Sequence, residues 1–158
     1  MKIIVNNLAT EYRDEGVNTG PVILMLHGWG VDLNEFEKIT EILKNDFRII
    51  RVDLPGFGGT EAPSDWHLSH YVDFVKSFIE KVGVTPCILL GHSFGGRIIL
   101  RGIGGRRLQA EKIILISPAG VSLSNQRRNI FKVLAKIGSL VAYLPPLIFW
   151  RAQIKKKM

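Results

Sequence analysis

Ser93 stands between glycines at 91 and 95 in the run Cys87-Ile88-Leu89-Leu90-Gly91-His92-Ser93-Phe94-Gly95-Gly96-Arg97. An apolar stretch of strand length ends at Gly91, and a helix-compatible segment, Phe94 to Leu100, begins just after the serine. A serine in so sharp a strand-to-helix turn takes a strained backbone conformation. Side chains two positions to either side would collide, so glycine is needed at 91 and 95. The turn lifts the hydroxyl clear of a sheet and leaves the Phe94 N–H free at a helix N-terminus, where developing negative charge is stabilised. Gly-x-Ser-x-Gly in this setting reads as a nucleophile elbow.

The elements that must hold this turn are legible around it. Residues 2–6 and 10–14 are short extended segments about Asn6-Asn7, consistent with a peripheral hairpin whose Glu11, Arg13 and Asp14 are solvated. Val22 to Leu26 is apolar throughout, the mark of a strand buried on both faces, and it runs into His27-Gly28-Trp29-Gly30. Asp32 with Glu35 three residues on resembles a capping box, and Leu33, Phe36, Ile39, Ile42 and Leu43 continue at helical spacing, predicting a helix over 33–44. Phe47 to Val52 is the next strand, followed by the turn-rich Asp53-Leu54-Pro55-Gly56-Phe57-Gly58-Gly59-Thr60. From Ser69, the residues Tyr71, Val72, Val75, Phe78, Ile79 and Val82 form one helical face, with Gly83 as the stop. After the elbow come a glycine-rich stretch to Gly105, in place of a longer regular helix, and the strand Ile113 to Ile116.

Strands alternating with helices predict an α/β domain around a mostly parallel sheet. Working residues in such sheets lie at the carboxyl ends of strands. His27-Gly28-Trp29, Asp53 and Ser93 all occupy that position.

Composition narrows the class. The 158 residues are 46% hydrophobic and 22% charged, which suits one globular domain. Residues 1–111 carry a net charge of −2 and residues 112–158 a net of +9, so the basicity is C-terminal and embedded in an otherwise apolar segment. That pattern argues against nucleic acid. Cys87 is the only cysteine and is expected in the core, which excludes an intramolecular disulfide and a cysteine-cluster metal site. The apolar run Ile3-Ile4-Val5 is too short for a secretory signal, and the expectation is a cytoplasmic protein.

With these motifs assembled, the chain resembles the α/β-hydrolase fold superfamily, in its capped, esterase-like or proline-iminopeptidase-like branch. The resemblance covers roughly residues 1–120 and rests on His27-Gly28-Trp29-Gly30, Asp53-Leu54-Pro55-Gly56-Phe57-Gly58, Gly91-His92-Ser93-Phe94-Gly95-Gly96 and Ser117-Pro118-Ala119-Gly120. It implies that Ser93 is the nucleophile and that the backbone N–H groups of Trp29 and Phe94 form the oxyanion hole. It also implies that His27 braces the oxyanion loop, that His92 packs or hydrogen-bonds beneath the elbow, and that Asp53 fixes its own turn with Pro55 and Gly56. A serine at the elbow excludes haloalkane dehalogenase and epoxide hydrolase chemistry, which in this superfamily uses aspartate there. The expected substrate is a small, fairly apolar ester, amide or related activated carbonyl, and neither cofactor nor metal is implied.

The chain departs from the family after the elbow. In this fold the acid and the histidine of the triad follow the serine, yet His27, His67, His70 and His92 all precede or adjoin Ser93, and the only later acid is Glu111. The preferred reading is an N-terminal hydrolase core over 1–120 and the start of a helical cap over 121–158, with the triad acid and base supplied by a complementing C-terminal segment or a second polypeptide. A homo-oligomer is the other partner expectation. The rival reading is a non-catalytic remnant or interaction module. Its uncharged stretch Ile137 to Trp150, flanked by lysines and arginines, would rest on a membrane surface, being too short to span a bilayer.

Overall fold

The computed structural model describes residues 1–120. In chain order these form β1 (Lys2–Val5), β2 (Leu8–Gly16), β3 (Val22–Leu26), a 3-10 helix (Leu33–Phe36), α1 (Glu37–Leu43), β4 (Arg48–Val52), α2 (Leu68–Val82), β5 (Ile88–His92), α3 (Ser93–Gly104) and β6 (Lys112–Ile116). The six strands make one sheet in the order β1-β2-β4-β3-β5-β6. Strands β4, β3, β5 and β6 run parallel, with Leu24 opposite both Ile50 and Leu89, while β1 and β2 add on antiparallel at one side. The mostly parallel α/β architecture expected from the sequence is the one observed.

Strand β3 is central, and its apolar run follows from burial on both faces. Leu24 and Leu26 join Ile50, Val52 and Leu89 against Phe74, Val75 and Phe78 of α2 and Ile98 and Ile99 of α3. Ile23 and Met25 face the other way, with Ile49, Leu90 and Phe36. Gly83 closes α2 in the left-handed conformation, at φ 72°. It is the stop that its sequence position predicts.

Several expectations are corrected. The segment 33–44 is a 3-10 turn followed by a short α-helix, and Ile42 points to solvent at 74% exposure. The β1–β2 hairpin lies at the edge of the sheet as expected, but β2 is longer than predicted and pairs with β4 from Tyr12 to Gly16. Asp14 there is tied to Arg48 by two hydrogen bonds of 2.9 and 2.6 Å, and Glu11 pairs with Arg13, so these residues are partly buried and paired rather than simply solvated. The glycine-rich stretch after Ile99 continues α3 to Gly104, since Gly102 lets Leu108 pack against the helix where a Cβ would lie 2.5 Å from its Cδ1. Cys87 precedes β5 and is only half-buried; its thiol donates to Glu111 Oε2 at 3.3 Å, and that bond raises its pKa. Strand β6 forms the outer edge of the sheet, with Ile113, Ile114 and Ile116 each about 40% exposed. The expected cap over 121–158 and its uncharged apolar stretch lie outside the described residues. Among the described residues no helix is long and apolar enough to cross a membrane.

Candidate active site

The carboxyl ends of β3, β4 and β5 meet at one place through direct contacts. The imidazole of His27, at the end of β3, is completely buried. Its Nε2 accepts the Leu54 N–H from the β4 end at 2.9 Å, which leaves Nδ1 to donate to the Gly28 carbonyl at 2.7 Å. Both ring nitrogens are thereby engaged, and burial lowers the pKa below 6.5, so the ring is held neutral. This histidine has no nitrogen left to take a proton from a nucleophile.

Asp53, at the end of β4, is also buried. Its Oδ1 accepts the Leu33 N–H and its Oδ2 the Gly59 N–H, both at 2.7 Å. The carboxylate thus fixes the loop at Gly59, beyond Pro55 and Gly56, and reaches across to anchor the 3-10 helix as well. Arg51, a buried cation in β4, adds a second anchor by donating from Nη1 to the Leu33 carbonyl at 3.1 Å, while its Nη2 pairs with Glu15 at 2.5 Å.

Ser93 opens α3 directly after β5 with φ 43°, the strained left-handed conformation its position demands. The flanking glycines are close approaches rather than loose joints. A Cβ on Gly95 would lie 2.0 Å from the Leu26 carbonyl oxygen, and one on Gly91 would lie 2.6 Å from the Gly96 nitrogen. The Gly95 N–H donates to the His27 carbonyl at 3.1 Å, stitching the elbow to the end of β3. The Ser93 carbonyl accepts the Ala119 N–H at 2.9 Å, which brings the Ser117-Pro118-Ala119-Gly120 turn against the elbow.

Gly28 lies beside Ser93, since a Cβ built on it would be 3.6 Å from the serine Cβ. Trp29 follows and is 66% exposed, its ring packed edge-on against Phe94 at 5.1 Å and Phe57 at 4.9 Å. Tyr71 of α2 also meets Phe94 edge-on, at 5.0 Å, and donates to the Pro55 carbonyl at 3.2 Å; burial raises its pKa. An apolar aromatic wall therefore flanks the serine. The backbone N–H groups of Trp29 and Phe94 have no acceptor among the described residues, and the second belongs to the first turn of α3, where N–H groups lack helical partners.

Every sequence-predicted site residue from His27 to Gly95 falls in this cluster. The remaining histidines do other things: the His67 N–H donates to His70 Nδ1 at 3.0 Å at the start of α2, and His92 turns its Nδ1 toward Glu35 at 2.7 Å. Sequence reasoning missed Glu35. It places this residue in a capping box with Asp32, but Asp32 caps Asn34 alone, and the Glu35 carboxylate reaches the Gly28 N–H instead at 2.9 Å. It also missed the aromatic wall, for which Phe57 in a glycine-rich loop gave no periodic signal.

Comparison with known proteins places this geometry. The sequence pattern of the alpha/beta hydrolase family matches residues 23–155. Human epoxide hydrolase 4 is 30% identical over 108 residues, covering 62% of this chain and 28% of that protein. The bifunctional esterase/perhydrolase of Acinetobacter calcoaceticus is 34% identical over 87 residues, covering 54% of this chain and 32% of that protein. Among solved structures, a membrane phospholipase A described as a bacterial virulence factor superposes with a TM-score of 0.73 at 28% identity, covering 77% of this chain and 40% of that one. The chain therefore spans about a third of the length of these two curated relatives. Their names come from different chemistries, so membership alone does not choose a reaction. A sheet of this order, a glycine-flanked turn at Ser93 and a match across residues 23–155 together make this chain a member of the alpha/beta hydrolase family.

Proposed function

We propose that the chain carries the nucleophile and oxyanion half of a serine hydrolase acting on an ester, amide or similarly activated carbonyl through an acyl-enzyme. The observation that carries this reading is Ser93 at φ 43° on the β5–α3 turn, next to a loop and a helix end whose Trp29 and Phe94 N–H groups are unpaired among the described residues. A serine stands at the elbow, which favours acyl transfer over the epoxide chemistry named for the human relative.

In this mechanism Ser93 Oγ attacks the carbonyl carbon, a C–O bond forms, and the π electrons move to the oxygen. The Trp29 and Phe94 N–H groups hold that oxyanion, and a preorganised donor of this kind is worth about 100- to 1000-fold in rate. A general base must take the hydroxyl proton and give it to the alcohol or amine that leaves when the oxyanion collapses and the C–O or C–N bond breaks; water then attacks the acyl-enzyme and releases the acid and Ser93. His27 is locked by its two hydrogen bonds, His67 and His70 sit together at the start of a helix, and His92 turns its Nδ1 to Glu35 beside the elbow, so the base is assigned to a further segment or a second polypeptide. The wall of Trp29, Phe57 and Phe94 suits a small apolar acyl group.

A fluorophosphonate probe tests the reading. Covalent labelling of the wild-type chain that disappears in Ser93→Ala is the expected result, read by intact mass. Absence of labelling in the wild type, including after addition of a complementing C-terminal segment, overturns it.

A further inference from the structure

Glu35 is the charged side chain that the fold spends unexpectedly. It sits on a short 3-10 helix that is itself pinned to β4 by Leu33 N–H to Asp53 and by Arg51 to the Leu33 carbonyl. From that mount its side chain, 21% exposed, brings the carboxylate against two parts of the site at once. Oε2 accepts the N–H of Gly28, a buried residue, at 2.9 Å. Oε1 approaches His92 Nδ1 at 2.7 Å, and this nitrogen is a buried atom with no aligned hydrogen bond among the described residues. The three groups are in mutual contact, because a Cβ on Gly28 would lie 2.9 Å from the same Nδ1.

We propose that Glu35 is a positioning residue that clamps the Gly28–Trp29 loop onto the elbow through His92. A buried N–H without an acceptor costs free energy, so the loop is held wherever the carboxylate stands. Glu35 also takes the Gly28 N–H out of the site, which leaves the Trp29 N–H as the donor that this loop offers beside Phe94. His92 is the residue immediately before Ser93, so the carboxylate fixes loop and serine to the same point. The clamp is a statement about Gly28 and His92; its catalytic consequence rests on the reading of Ser93 as nucleophile.

The test uses the full chain with Glu35→Ala and Glu35→Gln. Two measurements are independent of activity: amide hydrogen exchange at Gly28 and Trp29, and the 15N resonances of the His92 ring. Glu35→Ala is expected to speed Gly28 exchange about tenfold or more, without an equal change along β3 and β5, and to move the His92 Nδ1 resonance. Phosphonylation by the fluorophosphonate probe should fall about 10- to 100-fold in maximal rate, with the half-saturating probe concentration unchanged, as for loss of an interaction made in the transition state. Glu35→Gln keeps an oxygen for the Gly28 N–H, so it should restore the rate to within about threefold. Wild-type Gly28 exchange and an unmoved His92 resonance in Glu35→Ala overturn the clamp. So does a uniform rise in exchange along β3 and β5, which marks a merely structural residue, and so does an unchanged phosphonylation rate. A wild type that does not label refutes the nucleophile reading alone; the clamp is then decided by Gly28 and His92.

Discussion

At the scale of single residues, the site is built by side chains whose polar atoms are committed to backbone. His27 shows what this implies for pH. Burial favours its neutral ring in the folded chain, so as pH falls the unfolded chain takes up the proton first. The stability that His27 contributes is therefore fully present above pH 6.5, its ordinary pKa, and is lost progressively below it. Urea midpoints measured between pH 7.5 and 5 should fall more steeply in the wild type than in His27→Gln, which keeps an acceptor for the Leu54 N–H but cannot titrate in this range. Parallel profiles would refute the assignment. Of the residues in this layer, Ser93, Gly91 and Gly95 were legible because one short motif specifies them. Glu35 was not, because an Asp-x-x-Glu spacing is equally compatible with a cap, and only the buried Gly28 N–H decides where the carboxylate goes.

At the scale of elements, the strands that fill the core were readable, and the bordering strand was readable as extended but not in its length or its pairing with β4. The β3 and β5 segments are apolar runs because both faces are covered. β2 carries Glu11, Arg13, Asp14 and Glu15, and its place in the sheet is secured by pairing with Arg48 and Arg51 of β4, which no periodicity in β2 itself announces. The break between the 3-10 turn and α1 was hidden for a similar reason, since it is set by Asp53 and Arg51 gripping residue 33 from another strand. The junction of β5 with α3 depends instead on contact distance. Gly95→Ala would press a methyl into the Leu26 carbonyl, which sits 2.0 Å from the ideal Cβ position. A destabilisation of about 3 kcal/mol, at the upper end for overpacking, is expected by chemical denaturation. A variant as stable as wild type would show that α3 can slide away from β3.

At the scale of the whole molecule, the sheet formed by the described residues is asymmetric. One side is closed by the antiparallel pair β1 and β2, and the other ends at β6, whose isoleucines are partly exposed. Hydrogen exchange should follow this gradient, slowest in β3, β4 and β5 and faster by about tenfold or more in β6, because a strand paired on one side opens more readily. Equal protection in β6 and β3 would mean that another segment covers the edge. The strand order also carries a timetable. β3 lies between β4 and β5, and β2 can complete its pairing with β4 only after Val52, the partner of Tyr12, has been made. A chain growing from its N-terminus therefore holds its first hairpin idle while the next strands are synthesised, and the turn at Ser93 closes on the His27 carbonyl only when β5 has arrived. On the ribosome the Ser93 turn is among the last parts of the site to reach its place.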